Sequence, residues 1–216
     1  MPRTRRFTAP NYVYHVLNRS AKRGLLFGKP EDYRAFENLL REARNRVPIR
    51  ILAYCLMPNH WHLLLWPSGD GDLTRFTKWL TTTHAVRWNR AHHCVGNGAV
   101  YQSRFKSIPI EQGPHLFWAW RYIERNALRA NLVNRAEEWP WSSLRDRTSG
   151  IRPEALDDGP APLPADWTDV VNIPQTDAEL EAFRRHVTLD QPFGPEGWLT
   201  LPAVPRGRPD LRKSKK

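Results

Sequence analysis

Between Pro58 and Trp66 the chain reads Pro-Asn-His-Trp-His-Leu-Leu-Leu-Trp, with large apolar residues at both odd and even positions. Side chains of an extended strand alternate between two faces, so His60, His62, Leu64 and Trp66 share one face and Trp61, Leu63 and Leu65 the other. Apolar residues on both faces call for a central strand covered from each side. The same period sets the imidazoles of His60 and His62 next to each other. Two neutral imidazoles so placed suit one divalent ion. A pair of histidines hydrogen-bonded in or near a core is the other reading of so short a pattern.

The neighbouring residues supply the rest of a sheet. Ile49 to Met57 pairs with His60 to Trp66 as an antiparallel hairpin turning at Met57-Pro58-Asn59. An earlier strand is expected in Asn11 to Arg19, followed by a polar, basic loop from Ser20 to Gly28. Pro30, Glu31 and Asp32 suit the first turn of a helix. Its Tyr33, Phe36, Leu39 and Leu40 recur at helical spacing to about Val47, and Pro48 stops it. Asp72 is the expected N-cap of a second helix, about Leu73 to Ala91. After a loop at Asn97-Gly98, a fourth strand falls within Gln102 to Ile110, and a third helix runs from His115 to about Asn131.

That order predicts an α+β fold: a ferredoxin-like antiparallel sheet with helices packed on it, plus an extra tyrosine-bearing helix and a basic C-terminal extension. The domain so defined spans residues 1–147. Residues 148–205 form the extension, whose Pro-, Gly- and Asp-rich stretch from Thr148 to Pro164 reads as a linker or loosely packed segment, with a short helix at Leu180 to Val187. Residues 206–216 are a basic tail, expected to be disordered when alone.

Charge narrows the partner. A formal net charge of +11 and a pI near 10.2 favour a polyanion, and nucleic acid is the polyanion expected where no amphipathic or lipid-anchor signal points to a membrane. The two cysteines, Cys55 and Cys94, have no C-x-x-C spacing, which argues against a disulfide framework or a zinc ribbon. No run approaches the length of a membrane span, and Arg3, Arg5 and Arg6 have no apolar segment behind them as a signal peptide would. The expected location is cytoplasmic and nucleoid-associated.

The chemistry lies in what the third helix can bring to the hairpin. Tyr122 and Asn126 are four residues apart and project from one helical face. Together with His60 and His62 they can set a phenol, an amide oxygen and two imidazoles around one point. A divalent ion held by two imidazole nitrogens and an amide oxygen keeps open positions for phosphate oxygens. It polarises a phosphodiester and stabilises the charge of an in-line displacement. The phenol is then the nucleophile, giving a phosphotyrosine bond. Taken by itself, Tyr122 reads as an interfacial core tyrosine sooner than as a nucleophile, and the matched His-x-His and Asn126 turn the reading to the catalytic one. His15 reads as packing or hydrogen-bonding, while His84, His92, His93 and His115 read as surface or loop residues. Tyr101 is the competing phenol, without a ligand-type residue at helical spacing after it.

Tyr14-His15-Val16 with Asn18-Arg19, Met57-Pro58-Asn59-His60-Trp61-His62, Tyr122-Ile123-Glu124-Arg125-Asn126-Ala127-Leu128-Arg129-Ala130-Asn131-Leu132-Val133, and Trp139-Pro140-Trp141-Ser142-Ser143 occur in this order over roughly Arg6 to Leu144. In this the chain resembles the single-tyrosine HUH transposases, specifically the REP-associated tyrosine transposases. The resemblance implies that His60 and His62 are the paired metal ligands, Asn126 the third, polar ligand and Tyr122 the attacking residue. It implies a Mg²⁺- or Mn²⁺-dependent enzyme that nicks and rejoins single-stranded DNA beside palindromic hairpins through a 5′-phosphotyrosine. It also implies action as a monomer or homodimer. Family members usually have Asn-Pro in the tyrosine helix; Ala127 stands in place of that proline, which permits an unbroken helix.

Candidate phosphate contacts are Arg19, Lys22 and Arg23 after the first strand, Arg104 and Lys106 along the fourth, and Arg121, Arg125 and Arg129 along the tyrosine helix. Pro205-Arg206-Gly207-Arg208-Pro209 resembles the core of an AT-hook, with Arg206 and Arg208 directed to a minor groove; a plain basic tail is the alternative. Rival functions are a catalytically silent hairpin-DNA-binding protein of the same fold and a metallohydrolase that uses water as nucleophile.

Overall fold

The computed structural model describes residues 7–21, 24–96, 98–150 and 156–199 of the 216-residue chain. Lys22, Arg23, Arg206 and Arg208 lie outside the described residues, and so does the Arg-Gly-Arg motif. Four strands, β1 (Val13–Arg19), β2 (Ile49–Met57), β3 (His60–Pro67) and β4 (Lys106–Ile110), form one antiparallel sheet in the order β2-β3-β1-β4. Helix α1 (Pro30–Arg46) leads from β1 to β2, and α2 (Asp72–Ala91) from β3 to β4. This is the ferredoxin-like α+β arrangement.

The alternation along β3 sorts the core into two layers. Trp61, Leu63 and Leu65 face α1 and α2, where they meet Tyr14 and Val16 of β1, Phe36, Leu39 and Leu40 of α1, and Leu73, Phe76 and Leu80 of α2. Leu64 faces the opposite layer with Val13, Cys55, Ile108 and Ile110. A bulge in β2 between Ile51 and Ala53 puts Leu52 and Ala53 in that second layer together. Pro109 is tolerated because β4 is an edge strand, and the unpaired edge is met by Phe193, whose N–H donates to the Pro109 carbonyl at 2.9 Å.

The second layer is closed by α3 (Pro114–Glu124), α4 (Asn126–Arg129), α5 (Ser143–Thr148), α6 (Trp167–Asn172) and α7 (Asp177–Leu189). The expected unbroken third helix is divided at Arg125, whose ψ opens to −2° where its guanidinium donates to the carbonyls of Val171 and Asn172. Ala127 therefore does not give a continuous helix, and Asn131 ends the run in the left-handed region at φ 54°.

The segment beyond Thr148 is not loose where it is described. Asp157 accepts from the N–H of Ile51 and returns its own N–H to the Ile51 carbonyl, both at 2.9 Å, and pairs with Arg44. Trp167, Val171, Phe183 and Phe193 are buried in the second layer. Each buried side chain of this kind contributes about 1.5–3 kcal/mol, so four reach the scale of a small domain's whole net stability of about 5–15 kcal/mol. α7 is longer than the expected Leu180 to Val187 because Thr176 and Glu179 make a reciprocal cap at its start. Asp72 is the first helical residue of α2, preceded by Gly71 at φ 74°, and its carboxylate accepts from Gly69 N–H at 2.7 Å. No helix among the described residues is long and apolar enough to cross a membrane.

Candidate active site

His60 and His62 project from β3 toward α3, as the strand period requires, and their ring centres are 4.9 Å apart at 84°. β1 lies alongside, Leu17 opposite His62 and Arg19 opposite His60, which brings His15 onto the same face. From α3, Tyr122 reaches within 6.0 Å of the His62 ring centre and 6.2 Å of His15. The sheet and α3 thus gather His15, His60, His62 and Tyr122 in one place, while Asn126, the first residue of α4, is linked to them through Arg129. His15, His62, Tyr122 (8% exposed) and Asn126 (4%) are buried, whereas His60 is half-buried.

The hydrogen bonds orient the imidazoles. His60 Nδ1 lies 2.6 Å from Asn59 Oδ1; an amide oxygen only accepts, so Nδ1 carries the hydrogen and Nε2 keeps its lone pair. His62 Nδ1 lies 2.7 Å from His15 Nε2, and the two stacked rings share a single hydrogen. With His62 as donor, its Nε2 also offers a lone pair. Burial drives the His60 pKa down to about 4 and that of His15 down to about 3, and lowers His62 well below the usual imidazole range. The charge of Arg129 adds to each of these shifts. All three rings are therefore neutral at pH 7, the form in which an imidazole binds a metal.

The pair fits a shared cation. A metal–nitrogen bond of about 2.1 Å and roughly 1 Å from nitrogen to ring centre put two rings on one ion about 4.5–5.5 Å apart, which brackets the observed spacing. Among the described residues no group of three His, Cys, Asp or Glu side chains is placed to hold a metal, and Asn126 is the further oxygen ligand that the sequence suggests. The amide oxygen is engaged: Arg129 Nη2 donates to Asn126 Oδ1 at 2.8 Å, and its guanidinium lies 4.1 Å from the Tyr122 ring centre.

Two further side chains lie against Tyr122. Phe183 of α7 covers the phenol side, its ring 4.5 Å from Tyr122 and 5.3 Å from His15. Nothing in the spacing of the sequence connects residue 183 to the tyrosine helix. Arg129, a candidate phosphate contact in the sequence, lies three residues after Asn126 and bonds to its amide oxygen.

The remaining basic residues divide. Arg121 donates to the carbonyls of Ile173 and Pro174, and Arg125 to those of Val171 and Asn172, so both cap the end of α6 and hold it on α3. Lys106 similarly donates to the carbonyls of Val187 and Thr188 at the end of α7. Arg104 precedes β4 and is exposed, and Arg19 is exposed at the end of β1 beside His60. His84 is not a surface residue: it is buried between α2 and the sheet, with Nδ1 2.7 Å from the Tyr101 hydroxyl. Tyr101 also accepts from Trp61 Nε1 at 3.1 Å, which fixes it in the first layer, across the sheet from His60 and His62.

Residues 8–126 match the family model described as "Transposase IS200 like". A curated relative from Haemophilus influenzae, described as a candidate REP-associated tyrosine transposase, is 26% identical over 129 residues, 55% of this chain and 73% of the relative. A solved REP-associated tyrosine transposase bound to a REP hairpin is similar at TM-score 0.53 and 20% identity, covering 76% of this chain and 96% of that one, a likeness of fold. A crystal structure of a transposase-like protein from Deinococcus radiodurans gives TM-score 0.41 at 19% identity over 62% of this chain and 97% of that one.

Proposed function

Since the chain belongs to the IS200-like transposase family, we propose that it is a metal-dependent single-strand DNA transposase that nicks and rejoins DNA beside palindromic hairpins. The observation that carries this reading is the convergence of Tyr122 from α3 with His60 and His62 from β3, two elements far apart in sequence. His60, His62 and Asn126 would hold Mg²⁺ or Mn²⁺, which supplies Lewis-acid stabilisation of charge on the phosphate.

The chain's own residues account for the rest. Tyr122 attacks the scissile phosphorus; its O–H bond gives way to an O–P bond, the P–O3′ bond breaks, and the departing 3′ oxygen takes up a proton. The 5′-phosphotyrosine stores the bond, so a second 3′ hydroxyl can displace Tyr122 and rejoin a strand. Asn59 and His15 hold the two imidazoles in orientation. The surplus of positive charge favours a DNA hairpin as partner and the nucleoid-bearing cytoplasm as workplace.

The near-closure of Tyr122 beneath Phe183 favours a second reading, a hairpin-binding protein of the same fold that does not cleave. One assay decides. A labelled single-stranded palindrome is incubated with the protein, with and without divalent metal, and resolved on a denaturing gel. A metal-dependent covalent adduct, lost in Tyr122→Phe while hairpin binding persists, supports the transposase. Binding without an adduct supports the silent protein, and free cleaved ends without an adduct point to water as nucleophile.

A further inference from the structure

Arg129 stands in an unusual place for a DNA-contacting arginine. Its guanidinium is over the Tyr122 ring at 4.1 Å and donates through Nη2 to Asn126 Oδ1, the amide oxygen of the proposed metal set. Two donors beside this bond, Arg129 Nη1 and Asn126 Nδ2, are buried without a hydrogen-bond partner among the described residues. A buried donor left unpaired bears its full desolvation penalty. The two belong to the groups joined by the Nη2–Oδ1 bond, with the guanidinium over Tyr122, and mark a place for acceptor oxygens that arrive with a ligand. In contrast to Arg121 and Arg125, Arg129 is not tied down by carbonyls of α6.

We propose that the Arg129 guanidinium holds the place of the cation in the DNA-free protein and passes to a non-bridging oxygen of the scissile phosphate when the strand enters. This inference rests on the transposase reading of the same site. The transfer pairs Nη1 and releases Asn126 Oδ1, while the phosphate offsets the guanidinium charge that opposes a second cation among His15, His60 and His62. Strand and cation then bind cooperatively, and each raises the affinity of the other by the same factor. Arg129 is in this sense a positioning residue: it sets the order in which the site fills.

The test is Mn²⁺ binding, measured by calorimetry on the full chain in a Tyr122→Phe background that prevents turnover and keeps an aromatic ring beneath Arg129. Titrations are run alone and with a hairpin-bearing single-stranded oligonucleotide. The strand is expected to tighten Mn²⁺ binding within the roughly 5–150-fold range of site-to-site coupling. Adding Arg129→Met is expected to strengthen strand-free Mn²⁺ binding and to shrink that factor. If Arg129→Met leaves both quantities unchanged while His60→Ala abolishes Mn²⁺ binding, the inference is overturned and the transposase reading stands. If Mn²⁺ does not bind, or binds equally well in His60→Ala, both are overturned. A second measurement needs no substitution at residue 129. The guanidinium NMR resonance of Arg129 is expected to shift when the strand is added without metal, and an unmoved resonance overturns the transfer.

Discussion

His15 and His62 face each other across neighbouring strands, Nε2 to Nδ1 at 2.7 Å, with rings stacked 5.0 Å apart. The direction of that one hydrogen bond decides whether His62 Nε2 presents a lone pair or a proton to whatever lies between β3 and α3. His15 thus acts on the candidate metal site without being a ligand. Replacing it by Phe keeps the bulk of the ring and removes the bond. Partners of this kind typically matter 10–100-fold for metal affinity, so His15→Phe is expected to weaken Mn²⁺ binding by about that factor with the fold intact. Unchanged Mn²⁺ affinity in a variant with the parent's circular dichroism would remove His15 from the site.

Glu124 is fully buried two residues after Tyr122, on another side of α3. Its carboxylate accepts from Ser143 Oγ at 2.6 Å and from Trp167 Nε1 at 2.7 Å, with Arg147 Nε at 3.5 Å. One side chain therefore ties the tyrosine helix to α5 and α6. Truncating one partner of a buried pair leaves the other uncompensated, and Glu124→Ala is expected to cost about 3–5 kcal/mol in urea unfolding. A loss below about 1 kcal/mol, the range of an exposed ion pair, would mean that the carboxylate is not holding these elements together.

The layer between α1 and the end of β2 carries a pH dependence unrelated to the active site. Tyr54 has one hydroxyl hydrogen and two carboxyl neighbours, Glu37 at 3.2 Å and Asp146 closer. Burial, then the charge of Asp146, raises the Glu37 pKa to about 7 from an ordinary 4.5, and burial raises Asp146 as well. A folded-state pKa above the unfolded one means that the folded chain holds the proton more tightly. This contribution to stability is complete below about pH 4.5 and disappears as pH rises toward 7. Glu37→Gln, which cannot ionise, is expected to flatten the decline in urea midpoint between those two pH values. An identical slope in the variant would exclude Glu37 as its source.

The period-two pattern of β3 was sufficient to place His60 and His62 on a common face and to require cover on both sides, because a central strand has no freedom to hide that alternation. Tyr122 and Asn126 are set at helical spacing in the sequence, and the division at Arg125 leaves them in successive helices, α3 and α4. Single residues were harder. His84 was read as exposed because one histidine in an amphipathic helix looks alike whether it meets water or a buried phenol, and Tyr101 arrives from elsewhere in the chain. Short α6 left no periodicity to detect. The stretch from Thr148 to Pro164 has a linker's composition, yet Asp157 uses its carboxylate and its backbone to close the edge of β2. Composition reports what a segment resembles on average; a single edge-capping carboxylate is invisible to it.

The arginines divide between exposed charge and charge that builds the fold. Arg125 is committed to the carbonyls at the end of α6, whereas Arg19 is exposed at the end of β1, opposite His60 in the β1–β3 register. A side chain that neutralises a phosphate releases a counterion, so its removal lowers the salt dependence of hairpin binding by about one unit of slope. Arg19→Ala is expected to do this and to leave the unfolding midpoint within experimental error. Arg125→Ala is expected to do the reverse, preserving the salt slope and costing about 1–3 kcal/mol of stability as the α6 carbonyls lose their donor. Hairpin affinities of both variants across a salt series, set beside urea unfolding, separate the two roles. A reduced slope in Arg125→Ala with unaltered unfolding would return that guanidinium to the DNA surface and leave the docking of α6 on α3 to the apolar contacts of Trp167 and Val171.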